Sequence, residues 1–292
     1  MRLHCLIILL FFSGTNLVAQ DGLEGIIVER YYISTAEDTS NSVVSGFLEP
    51  GSTTYRVYVD LKPGFSFQAA FGSPEHALRI SSTKPFYNHL DAGTVNPDIL
   101  PERELKVDIA LLDSWFSVAG AGENHYGVLK EFDDSAYDEY ITFNKGYLEG
   151  KDKRMGCPLR ARDGMRRAEM VPFPTFYQMD SALKMVAAGI NGGNIEIRNG
   201  AWACLGRGAK GADSLITNIV LIGQFTTAGD FSFELNVLIG APNGTSQKYV
   251  ATAPGLGEWV HPQLIFSSKN KKDPRNKKRR GKPTCSSPST TK

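Results

Sequence analysis

The sequence predicts a mainly β protein of antiparallel, sandwich-like architecture, and three observations carry that expectation. Turn-forming residues are plentiful, with 29 Gly and 15 Pro among 292 residues, which suits many short elements joined by tight turns. β-Branched and aromatic residues gather in short alternating runs, the pattern of pleated strands. Helical periodicity is poor except over 175–188, a short stretch. Apolar residues make up 41% and charged residues 22%, which excludes collagen-like, wholly disordered and cysteine-stapled chains.

Residues 1–20 read as a secretory signal peptide. Arg2 and His4 precede an unbroken apolar run from Cys5 to Phe12, and Leu17-Val18-Ala19 closes it, so cleavage is expected after Ala19 or Gln20. The run is too short for a membrane span, which needs about 20 apolar residues. No later segment is apolar enough to span, so the expected location is secreted or cell surface.

The strands follow in order. Gly25–Ile33 is rich in β-branched and aromatic residues; Thr54–Leu61 follows the Pro50-Gly51 turn signal and alternates like a half-buried strand. Lys62-Pro63-Gly64 turns into Phe65–Phe71, and His76–Ser81, Val107–Leu112 and Trp115–Val118 are further strands. Glu149–Arg167, crowded with Lys, Arg, Asp and Gly, reads as an exposed loop. Asn194–Arg198, Ala201–Leu205, Leu215–Gln224 and Phe231–Ile239 then repeat the style of the first half. The expected organisation is therefore a first β-module at 21–148, a linker at 149–168, a second packed β-module at 169–268 and a basic tail at 269–292. The tail holds ten Lys/Arg against Asp273 alone and almost no apolar residues, so it is expected to be disordered.

Beyond the leader, cysteine occurs at 157, 204 and 285. An exported chain can hold a disulfide. Cys157–Cys204 is the natural candidate, with two buried free thiols as the alternative and Cys285 as the odd thiol.

Catalytic signals are weak. Asp108, Asp113, Glu123, Glu131, Asp133, Asp134, Asp138 and Glu139 supply carboxylates, but spacing alone does not set two of them face to face as glycoside hydrolysis requires. There is no Gly-x-Ser-x-Gly elbow and no HExxH, and a single loop histidine describes His89 beside Asp91 better than a metal ligand. No catalytic residue and no organic cofactor is expected. Ca2+ is the one plausible ion, through the oxygen-rich loop Glu131–Glu139, which lacks the EF-hand spacing. Gly206–Gly211 reads as a flexible turn, not a phosphate loop. Trp115 and Trp202 read as core anchors, and Trp259 as either packed or a stacking platform for sugars.

Several ordered motifs carry a family resemblance. Thr54–Asp60 with Pro63-Gly64 and Phe71-Gly72, His76–Ile80, Phe86-Tyr87-Asn88, Leu112–Trp115 and Gly127–Lys130 are followed by Gly200–Ala203, Val220–Gln224 and Phe231–Asn236. Together they resemble a β-rich module of large secreted Bacteroidota proteins, of the kind often exported by the type IX route. The resemblance implies an extracellular or cell-surface module with no established activity. It also brings an O-glycan acceptor pattern, which Asp134-Ser135-Ala136, Asp180-Ser181-Ala182 and Asp213-Ser214-Leu215 match. This chain ends in the basic tail instead of the sorting domain common in such proteins.

The formal charge of +1 conceals a partition. Residues 21–268 carry −9 and the tail +9, with Arg2 supplying the rest. Lys271, Lys272, Arg275, Lys277, Lys278, Arg279, Arg280 and Lys282 form the candidate polyanion site, since clustered cations displace the counterions of a polyanion. The partners this predicts are anionic polysaccharide, lipopolysaccharide or extracellular DNA. No aromatic residue interleaves with the cations, so sequence-specific nucleic-acid recognition is not expected. The functional expectation is a secreted, non-enzymatic structural or adhesive β-module held to anionic surface material by its tail. The alternative is a carbohydrate-binding module or a weak glycoside hydrolase.

Overall fold

The computed structural model describes residues 21–36, 38, 48–91, 93–100, 108–130, 147–149, 164–187 and 192–270. The leader at 1–20, Cys157, the acidic loop 131–139 and the cationic cluster from Lys271 to Lys282 lie outside the described residues.

The fold is mainly β, as the alternating runs predict. Strands β1 (Leu23–Ile33), β2 (Thr53–Leu61), β3 (Ser66–Gly72) and β4 (Leu78–Ser82) come first. Short strands β5 (Trp115–Phe116), β6 (Gly120–Gly122), β7 (His125–Gly127), β8 (Tyr147–Glu149), β9 (Met165–Arg167) and β10 (Thr175–Tyr177) follow. Helix α1 (Asp180–Ala187) precedes β11 (Asn194–Ile197), β12 (Gly200–Ala203), β13 (Ile219–Thr227), β14 (Phe231–Glu234) and β15 (Val237–Gly240). The described chain closes with β16 (Ser246–Val250), β17 (Glu258–Val260) and β18 (Ile265–Ser267).

These strands build a five-stranded sheet ordered β5-β13-β2-β1-β8, a six-stranded sheet β10-β12-β3-β15-β16-β17, a four-stranded sheet β11-β4-β14-β18 and a small sheet β6-β7-β9. Every pairing is antiparallel except β1 with β8 and β16 with β17. One face of the five-stranded sheet presents Val28, Val57, Val59, Val220 and Ile222 to the main core. Phe67, Val237 and Ile239 of the six-stranded sheet and Ile80, Phe231 and Phe233 of the four-stranded sheet join them there. The layers therefore pack in sandwich fashion, each hiding its apolar face against another.

The division into two consecutive modules is corrected by the pairing. β2 lies between β1 and β13, β3 between β12 and β15, and β4 between β11 and β14, so strands from both sides of the expected linker interleave in one body. The linker is bounded by strands: Glu149 ends Tyr147–Glu149, which adds parallel to β1, and Met165–Arg167 adds to β7. Polar composition marked this stretch as a loop, yet a strand at a sheet margin needs few apolar residues.

Three local expectations also change. Val107–Leu112 reads as a strand, but Asp108–Leu112 is a 3-10 turn that buries Ile109, Leu111 and Leu112; a short apolar run does not distinguish the two. The helical stretch over 175–188 divides into β10 and α1. Phe231–Ile239 divides at Asn236, where the chain passes from the four-stranded to the six-stranded sheet. Asn236 fixes that corner by donating from Nδ2 to the carbonyls of Phe71 and His76, and its Oδ1 accepts from the Ala251 amide.

Close packing of these layers leaves no room at Gly72, where an added Cβ would sit 1.8 Å from the Ile197 carbonyl oxygen. Gly72→Ala is expected to cost about 1–3 kcal/mol, read as a lowered urea midpoint. An unchanged midpoint would mean that β3 and β11 separate freely.

Candidate functional site

The strand pattern of Thr54–Leu61 predicts one solvated face, and the structure buries it. Thr54, Arg56 and Tyr58 point away from the main core, but Tyr87, Leu100, Ile109 and Leu129 come over this face and seal a second core with Leu111, Leu112 and Trp115. The result is a buried polar layer. Arg56 donates from Nε to Gln224 Oε1 at 2.8 Å and from a terminal nitrogen to the Gly164 carbonyl at 2.8 Å, while its guanidinium lies 3.6 Å above the Tyr31 ring. Burial opposes the charged guanidinium, but Tyr31, Tyr58 and Glu29 outweigh it and hold the pKa above its ordinary value. Glu29 accepts from the Lys130 amide at 3.0 Å, and the Tyr58 hydroxyl stands 3.0 Å from both Glu29 and the Val128 carbonyl. Lys130 Nζ donates to the Tyr31 carbonyl and sits over the Tyr31 ring. Gln224 completes the layer by donating to the Leu111 and Asp113 carbonyls. Each group is matched within the layer, so its role is to fasten the covering chain to the sheet.

The carboxylates with catalytic potential separate on inspection. Asp113 is fully buried, and its two oxygens accept the His89 and Thr94 amides at 2.6 and 3.1 Å. Burial pushes its pKa well up despite those bonds. Glu123 is exposed at the β6–β7 turn. Asp98 has a different environment: both its carboxylate oxygens are buried without a hydrogen-bond partner among the described residues, and burial raises its pKa to about 7. Its Oδ1 occupies the space a side chain at residue 120 would need, which only Gly120 leaves open. The neighbouring Ala119 holds φ of 94°, a region alanine rarely adopts.

No group of three or more His, Cys, Asp or Glu among the described residues is placed to hold a metal. His89 is a loop histidine whose Nδ1 accepts the Asp91 amide at 3.2 Å. Cys204 carries a free, half-buried thiol, raised in pKa by burial; its expected partner Cys157 lies outside the described residues. One cleft, between Val128, Leu129, Arg166, Asp213 and Ile216, measures about 210 Å3. A second, beside Glu49, Lys84 and Tyr87, measures about 80 Å3. Both fall below the roughly 300 Å3 at which small-molecule pockets begin.

Trp115 and Trp202 are core anchors at 2% and 1% exposure, whereas Trp259 is 38% exposed on β17. That edge is built with care. The Gly255–Glu258 turn closes through the Glu258 amide on the Gly255 carbonyl at 3.2 Å, with Gly257 at φ 78° and Leu256 fully exposed at its tip. Glu258 reaches back to accept the Gly255 amide at 2.7 Å, lies 2.6 Å from Lys248 Nζ and 2.8 Å from His76 Nε2, and so bridges β16, β17 and the start of β4. The Lys248 bond, then the Gly255 amide, draw its pKa down to about 2. The Trp259 ring packs 6.2 Å from Tyr249. From β17 a 3-10 turn at Pro262–Leu264 leads into β18, the edge of the four-stranded sheet. Lys269 follows at once, paired with Asp230 at 3.1 Å. Lys269, the first cation of the basic run, therefore stands at an outer edge of the described fold.

The sequence reading missed Asp98, the Arg56 layer and the Glu258 bridge. Only the Arg56 layer had a visible signal, a charged and an aromatic polar residue on the supposedly wet face of a strongly β-forming run. No helix among the described residues is long and apolar enough to cross a membrane. No family model, curated protein or solved structure matches the chain.

Proposed function

We propose that the chain is a secreted, non-enzymatic structural or adhesive β-module held to anionic surface material by its basic tail. The extracellular setting rests on the leader-like residues 1–20 and on the resemblance to Bacteroidota secreted modules. The observation that carries the attachment is the charge partition, +9 over 269–292 against −9 over 21–268, with Lys269, the first of the tail cations, standing just after edge strand β18. Cations on a body of opposite charge confine polyanion binding to one place on the molecule. Buried Asp113 and Glu29 serve backbone amides and neighbouring side chains, which is structural duty. Anionic polysaccharide, lipopolysaccharide and extracellular DNA are the partner classes.

A second reading, a carbohydrate-binding module, is favoured by one observation, the half-exposed Trp259 at the sheet edge. The two separate on a heparin column and a neutral glucan. Full-length protein is expected to bind heparin in a salt-sensitive way, and protein truncated after Ser268 to pass through. Undiminished heparin binding after truncation would remove the tail from the account. Retention on the neutral glucan, lost in Trp259→Ala, would favour the second reading.

A further inference from the structure

The cleft against β9 joins an apolar floor to unpaired polar groups. Val128, Leu129 and Ile219 line it; Leu129 belongs to the second core and Ile219 packs against that core. The turn carrying Asp213, Ile216 and Thr217 supplies a wall, and the Asp213 carbonyl closes it by accepting the Ile216 and Thr217 amides at 3.1 and 2.9 Å. Arg166 lines the same cleft from β9, where it stands in register with Tyr126 of β7. Among the described residues, none of the Arg166, Asp213 and Thr217 side chains has a hydrogen-bond or ion-pair partner. A cation and an anion therefore line one cleft without pairing with each other. The smaller cleft is the contrast: Lys84 and Glu49, which line it, stand 3.5 Å apart as an ion pair.

We propose that this cleft binds a free apolar α-amino acid of the size of leucine or phenylalanine. The Arg166 guanidinium takes the α-carboxylate, the Asp213 carboxylate takes the α-ammonium, and the hydrocarbon side chain lies on Val128, Leu129 and Ile219. Charge selects this class of ligand. A molecule with one charge leaves either Arg166 or Asp213 uncompensated, whereas a zwitterion meets both. A guanidinium presents its donors as a fork that matches a carboxylate. The volume of about 210 Å3 is below the range of drug-sized ligands, and it admits one amino acid but not a peptide or a sugar chain. Ile216 lines the cleft although it is 75% exposed, and an apolar ligand side chain removes part of that surface from water. The inference goes beyond the attachment reading and does not depend on the tail.

The test is calorimetric titration of full-length wild type, Arg166→Gln and Asp213→Asn. The ligands are leucine, phenylalanine, glutamate, 4-methylpentanoate (leucine without its ammonium) and 3-methylbutylamine (leucine without its carboxylate). Wild type is expected to bind leucine and phenylalanine at one site, and each variant to lose about tenfold or more in affinity for them. The two single-charge analogues are expected to bind wild type about tenfold or more weakly than leucine, and 4-methylpentanoate to bind Asp213→Asn no worse than wild type. Glutamate is expected not to bind, because its side chain brings a charge to an apolar floor. Urea midpoints equal to wild type are expected for both variants, whose replaced side chains lie outside the core. If a variant is destabilised, the ligand series on wild type alone decides. No binding of leucine or phenylalanine at millimolar concentration overturns the proposal. Equal binding of leucine and 4-methylpentanoate, or of leucine and glutamate, overturns it as well, as does unchanged leucine affinity in Asp213→Asn. Each of these results leaves the polyanion reading standing.

Discussion

Asp98→Asn is expected to raise the melting temperature at about pH 8 by on the order of 10 °C and to leave it nearly unchanged at about pH 4. The carboxyl group is buried beside Gly120 without a partner, and its pKa stands at about 7 in place of 3.8. Between those values the folded chain holds a proton that the unfolded chain releases. Stability is therefore full only below about pH 4 and is lost progressively as the pH rises to about 7, above which both states are ionised. Three pKa units correspond to on the order of 4 kcal/mol. Asp60, raised to about 6 by burial and then by Glu24, and Asp113, raised by burial, act in the same direction. Thermal melts across this pH range check both expectations, a wild type that weakens towards alkaline pH and a variant that weakens less. A variant less stable than wild type at pH 8 would mean that Asp98 is held ionised by a partner.

The second large effect is expected at Arg56. Arg56→Met leaves Gln224 Oε1 without its donor, leaves the Gly164 carbonyl with the Val128 amide alone, and removes the cation that faces Glu29, Tyr31 and Tyr58. Breaking a buried charged network by removing one member costs about 3–5 kcal/mol. Arg56→Lys is expected to recover little, because an ammonium cannot reproduce two directed bonds and a flat stack 3.6 Å above Tyr31. Urea unfolding of the three proteins measures this. A Lys variant as stable as wild type would show that charge alone matters there.

Arg56 also shows where sequence reasoning stops. The alternation of Thr54–Leu61 identifies the strand and assigns Tyr55, Val57 and Val59 to the core, as the structure has them. It says nothing about whether the opposite face meets water or another stretch of chain, and here Tyr87, Leu112, Trp115 and Leu129 cover it. The strand inventory was legible for the same reason: strand formation depends on local alternation, and β1 to β4 match their expected runs within two residues or so. Partner choice was not legible. Whether β2 takes β13 or a nearer strand depends on contacts more than a hundred residues apart, so a two-module arrangement looked equally consistent with the pattern. Asp98 carries no sequence signal at all, because its surroundings come from the turn at Pro97–Ile99 meeting Gly120. The tail is the opposite case, visible entirely in composition.

The account's central claim is that polyanion attachment resides in residues 269–292, and the salt dependence of binding to a short DNA duplex tests it most directly. Each phosphate neutralised contributes about −0.9 to the slope of log affinity against log salt. Full-length protein is expected to give a slope steeper than about −4, with several of the ten tail cations engaged. Protein ending at Ser268, with its charge of −9 over 21–268, is expected to show no measurable binding. Equal slopes for the two proteins would place the binding surface on the folded body and contradict the account.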